Sequence, residues 1–227
     1  MKIKSEIILP HLYLLTFETQ YELCMSFVRI QEFYESPKFR NKYFTLEEFI
    51  DYWAKEFGNG SFDYPARWNG FNLPSKVISK WYTLASDCGF IRNKEGDLLE
   101  TIGDLVCKEY EEDNILGSAK YYVIGINNEH SEEKKKVIDH ETAHALYYLY
   151  PSYKKAVNKL LKDLPKDISD VAAKHLLKIG YGKNVSRDEM QAYFSTNDIG
   201  EVCPIRPLGR IEKFAKNLND FREKLVK

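Results

Sequence analysis

His140 and His144 stand four residues apart, with Glu141 directly after the first, in the run His140-Glu141-Thr142-Ala143-His144. On an α-helix, residues four apart lie one turn above each other on the same face. Two imidazoles so placed can close on one ion, each through a ring nitrogen at about 2.0–2.1 Å. Glu141 sits one step round the helix, where its carboxylate reaches a water beside the ion without ligating it. These types at this spacing suit metal-assisted hydrolysis, with two imidazole ligands and a base that takes a proton from water.

Five residues are a short pattern, so the elements around them must decide. From Val137 to Tyr150 the chain is apolar nearly all round, with Val137, Ile138, Ala143, Ala145, Leu146 and Leu149 among tyrosines. Such a helix is a buried helix. Histidine and glutamate taken into an interior need partners, which a metal supplies and ordinary hydrogen bonds also supply. A hydrolytic metal site needs a third protein ligand and leaves one position for water. The other histidines are His11, His130 and His175. The more attractive donor is Glu189, in Ser186-Arg187-Asp188-Glu189-Met190-Gln191-Ala192-Tyr193, on a helix that follows an intervening helical hairpin. Ser186 and Glu189 also fit a capping box, in which the glutamate only reaches back to the cap. His175 is the reserve ligand, and otherwise a structural histidine among Val171, Ala172, Leu176 and Leu177. Hydrolysis of an amide further needs a donor for the oxyanion. Tyr193, one turn beyond Glu189, and Tyr181, in the loop Gly180-Tyr181-Gly182, are the candidates.

The strand-like run KYYVIGIN (120–127), the helix bearing HETAH and the later helix bearing DEMQAYF together resemble a gluzincin-type zinc metallopeptidase of the H-E-x-x-H superfamily. The resemblance covers roughly the C-terminal half. It implies Zn2+ as cofactor, His140, His144 and Glu189 as ligands, Glu141 as general base, and a peptide or protein as substrate. Two departures stand out. The gap between His144 and Glu189 is longer than in thermolysin-like enzymes, and the Asn that precedes their glutamate ligand is Asp188 here. The metzincin extension is missing, because Ala145-Leu146-Tyr147-Tyr148 follows His144. The rival reading is a non-catalytic zinc-binding or interaction protein that keeps a peptidase fold. Glu141 weighs against it, since a structural site needs only ligands.

Around this site the chain reads as α+β. Ile7 to Phe17 is a strand or hairpin, and helices are expected over 21–34, 45–57, 75–87, 97–111, 131–150, 152–164, 168–179, 186–195 and 210–226. Residues 61–74 read as a loop dense in aromatics, Gly and Pro. It is either packed on its own aromatics or the wall of a groove. The shift from strands and aromatic loops to nearly continuous helix suggests a small mixed N-terminal lobe, 1–118, and a mainly helical, zincin-like metal-binding lobe, 119–227. Hydrophobic residues make up 44% of the 227 and charged residues 30%, which fits a folded chain. A net charge of −1 gives no pull toward nucleic acid or anionic membrane, and Lys134-Lys135-Lys136 reads as the solvated start of the metal helix. The four cysteines form no C-x-x-C clip and read as reduced thiols. With no signal peptide and no membrane span, the expected residence is cytoplasmic, with non-classical export left open.

Overall fold

In the computed structural model, the apolar N-terminal stretch folds back on itself at Pro10 and His11. The structure describes residues 2–88, 94–111, 118–129, 134–178, 185–196, 198–203 and 209–226. β1 (Lys4–Leu9) and β2 (Leu12–Phe17) form an antiparallel hairpin, and His11 takes the left-handed conformation (φ 64°) that the tight turn requires. α1 (Gln20–Glu35) is capped by the Thr19 side chain. α2 (Leu46–Glu56) opens on the expected capping box, in which Thr45 and Glu48 each receive the other's backbone N–H. It stops before a turn with Asn59 and Gly60 at positive φ.

The segment read as a loop contains a strand. β3 (Gly70–Pro74) pairs antiparallel with the later strand, and its Phe71 and Leu73 are buried. Gly70, Asn72 and Pro74 are poor strand formers and hid it. Upstream in the same segment, Tyr64 is buried edge-on to Phe49 and Trp53, at ring separations of 5.2 and 4.7 Å, so the segment is packed by aromatics. α3 (Ser75–Asp87) follows, then α4 (Lys94–Tyr110). The start expected at Asp97 lies inside α4, which begins earlier.

β4 (Tyr122–Asn127) completes a four-stranded sheet in the order β1-β2-β4-β3. It runs parallel to β2, from Leu12 opposite Tyr122 to Phe17 opposite Asn127, and both strands are buried along their whole length. Pairing in parallel requires a long crossover, which here contains α1 to α4 and β3. α1 packs against the sheet so closely that Gly125 of β4 has no room for a side chain.

Beyond the sheet come α5 (Lys134–Leu149), α6 (Pro151–Lys162), α7 (Lys166–Lys178), α8 (Ser186–Ser195), the short α9 (Ile199–Val202) and α10 (Gly209–Val226). Pro151 ends α5 by opening α6 at its first position, where its missing N–H costs nothing. α8 is the hub of these helices, in contact with α7, α9 and α10. The chain divides into two compact units, Met1–Ile138 and Asp139–Lys227. The first holds the sheet, including β4, and so extends past the boundary expected at 118. The second is helical. The mixed α+β class thus holds. All four cysteines are free thiols, with Cys24 and Cys203 buried. No described helix is long and apolar enough to cross a membrane.

Candidate metal centre

Three atoms of the second unit converge. His140 Nε2 and His144 Nε2 lie 3.2 Å apart, and Glu189 Oε2 is 3.7 Å from the first and 3.6 Å from the second. The helix spacing brings the two histidines together on α5, as their four-residue separation dictates. α8 delivers Glu189 from its first turn. The alternative role for Glu189 is not realised: Val185 occupies the N-cap position, with no side-chain capping bond, and Ser186 is already inside the helix.

The separations to Glu189 are too long for a hydrogen bond. Glu189 Oε2 is buried and has no hydrogen-bond partner. A buried carboxylate oxygen left without a donor is costly unless a cation compensates it. The triangle is nearly equilateral, and a point equidistant from its corners lies about 2.0 Å from each, the length of a zinc–nitrogen or zinc–oxygen bond. The donor set therefore fits a divalent ion in size, in charge and in chemistry.

The electrostatics agree. Burial pushes the Glu189 carboxyl up, but His144 and His140 outweigh it and hold the group well below the usual carboxylate range. Burial alone would depress the His144 imidazole, yet the carboxylates of Asp188 and Glu189 carry it well above the ordinary histidine range. Two carboxylates facing the buried imidazole of His144, one of them also near His140, make a place that favours positive charge, whether proton or metal.

No family model matches the chain, and no curated protein or solved structure matches it.

The orientation of His144 is fixed from behind. Its Nδ1 lies 2.9 Å from Asp188 Oδ1, which leaves Nε2 to face the triangle. A proton on Nδ1 donated to Asp188 leaves Nε2 facing the triangle, where a metal would take the place of the second imidazole proton. Gln191, fully buried, donates from Nε2 to the same Asp188 oxygen (3.0 Å) and to the Ala143 carbonyl of α5 (3.1 Å). Its amide oxygen accepts from the Tyr153 hydroxyl of α6 at 3.0 Å, and burial pushes that phenol up to about 12, so it stays a donor. Neither Asp188 nor Gln191 stood out in the sequence as functional. Being three apart on α8, they share a face, which is the one signal that could have found them.

Of the other residues singled out by sequence, Glu141 is half-buried next to His140 on α5. Tyr193 packs its ring on His140, centroid to centroid 4.5 Å at 64°. Tyr181 and His130 fall outside the described residues. His175, on α7, is not part of the ligand cluster. Among the described residues, His140, His144 and Glu189 form the one group of such side chains that could hold a metal.

Proposed function

We propose that the chain is a zinc-dependent peptide hydrolase of the gluzincin kind, with His140, His144 and Glu189 holding the ion and Glu141 as general base. The observation that carries the reading is the triangle itself: two Nε2 atoms and a buried, hydrogen-bond-less Glu189 oxygen, spaced for one ion. A bound zinc ion would supply Lewis acidity, polarising a scissile carbonyl and acidifying water. Glu141 then accepts a proton from the attacking water and passes it to the leaving amine nitrogen. Asp188 holds His144 in the ligating tautomer. Tyr193, edge-on to His140, is the candidate donor for the oxyanion among the described residues, and Tyr181 is the candidate outside them. The substrate class we propose is a peptide or protein, since a metal, a base and a donor for the oxyanion together suit hydrolysis of an amide.

The test separates chemistry from metal binding. Glu141→Gln keeps size and removes the proton acceptor, so zinc content and folding should match the native protein while hydrolysis of a peptide library falls about 10²-fold or more. Equal hydrolysis by both proteins would remove Glu141 from the mechanism. Stoichiometric zinc without hydrolysis in either would favour a non-catalytic metal protein.

A further inference from the structure

Gln191 is hydrogen-bonded to three elements beside the cluster, yet none of its atoms belongs to the ligand triangle. A glutamine with no exposure must satisfy its amide internally, and Gln191 does so with three partners on three elements. Its Nε2 donates to the Ala143 carbonyl of α5, one residue before His144, and to Asp188 Oδ1 within α8. Its Oε1 accepts from the Tyr153 hydroxyl of α6. The orientation of the amide is not arbitrary. A carbonyl and an ionised carboxylate can only accept, so the NH2 must face them, and the oxygen is left for the phenol.

From this arrangement we infer that Gln191 is a positioning residue of the metal centre: it sets the height of α8 against α5 and commits one Asp188 oxygen to His144. The inference rests on the metal reading above. Asp188 Oδ1 receives two donors, Gln191 Nε2 at 3.0 Å and His144 Nδ1 at 2.9 Å. Without the first, Asp188, whose side chain is about one-third exposed (34%), can turn toward water. His144 would then lose the Nδ1 partner that fixes its ring, and Nε2 would no longer be held facing Glu189. The link to Ala143 acts in the same direction. It ties the turn of α5 that carries His144 to the turn of α8 that carries Glu189, so the two ligands arrive in register. A residue that only filled space would need neither the amide nor its orientation.

The experiment compares the native chain with Gln191→Met, which keeps length and bulk, and with Gln191→Glu, which is isosteric but cannot donate when ionised. Leu161→Ala serves as a control that loosens the same unit from a buried position remote in sequence from the ligands. Zinc affinity is read by competition with a chromophoric chelator, thermal stability by circular dichroism, and the His144 tautomer by the 15N shifts of labelled histidine in the zinc-loaded protein. Both Gln191 variants should bind zinc about 10- to 100-fold more weakly, the scale for losing an outer-shell partner. The His144 Nδ1 signal should move away from its singly bonded N–H position. Leu161→Ala should melt earlier with its zinc affinity and histidine signals unchanged. Should the Met variant fail to fold, the Glu variant decides alone. Lower melting of the Gln191 variants with native zinc affinity and native His144 shifts would reduce Gln191 to a structural residue and overturn the inference. If the native chain itself binds no zinc, the metal reading fails, and this inference fails with it for that separate and recognisable reason.

Discussion

Glu189 shows how one side chain can be decisive without being unusual in sequence. Its Oε2 is buried, carries charge and accepts no hydrogen bond. Glu189→Gln preserves shape and replaces the anionic ligand with a neutral amide. Zinc affinity should fall about 10²-fold or more, beyond the usual cost of an outer-shell change, while the metal-free protein unfolds at lower urea only by as much as the lost attraction of His144 and His140 for the carboxylate allows. Native affinity in that variant would return Glu189 to a structural role. Glu32 is the counterpart in the first unit. It accepts from the Tyr64 hydroxyl at 2.8 Å, and burial raises its carboxyl despite that bond. A carboxyl raised on folding favours the protonated native state, so its cost to stability appears as pH rises through the raised value. Glu32→Gln still accepts from Tyr64 and carries no charge. It should be more stable than the native protein near pH 7, with the difference closing toward about pH 4.5. A difference that stays constant across that range in urea titrations would rule out the charge as its cause. At this scale the sequence pointed to His140 and His144 as candidate ligands because helix geometry turns a four-residue spacing into a shared face. It could not show Asp188 or Gln191 as partners of His144, because their roles exist only once α8 lies against α5.

Helices were the most legible elements. Thr45 with Glu48 opens α2, and the limits of α8 coincide with Ser186 and Ser195, as spacing alone suggested. β3 was hidden because its evidence is tertiary: only the pairing of Phe71 with Gly125 and Leu73 with Val123 on β4 makes a strand of a segment with glycine, asparagine and proline. The parallel pairing of β2 with β4 was equally invisible, since the two strands lie far apart in the chain. Gly125 marks where the elements meet most tightly. A Cβ there would stand 2.6 Å from two carbons of the Phe27 ring and 2.8 Å from Leu23 Cδ1, and both side chains are fully buried on α1. The ring has nowhere to retreat in a packed core. Gly125→Ala should therefore destabilise the protein by about 1–3 kcal/mol, the scale of overpacking, seen as an earlier urea midpoint with unchanged slope. An unchanged midpoint would show that α1 can lift from the sheet without cost.

At the scale of the molecule, the sheet and the candidate metal site belong to different units: the strands to Met1–Ile138, the side chains of His140, His144 and Glu189 to Asp139–Lys227. That separation makes a prediction about where the ion's stabilisation is felt. A ligand that binds only the native state adds about 2.7 kcal/mol when its free concentration is 100 times its dissociation constant. The gain falls on the elements whose opening releases the ion, because local unfolding draws on local contacts. Those elements are α5 around His140 and His144, and α8 around Glu189. Hydrogen exchange of the full chain, with zinc and with a chelator, reads this directly. The backbone amides of the second half of α5 and the first turns of α8 should exchange more slowly with zinc. Those of β2 and β4 should keep their rates, since they reach protection through their own ladder and a core of Tyr13, Leu15 and Val123. Slowing in the sheet alone would place the ion elsewhere in the chain. Slowing in α5 without α8 would leave the two histidines as ligands and remove Glu189, because an ion held by α5 alone gives α8 nothing to lose on opening.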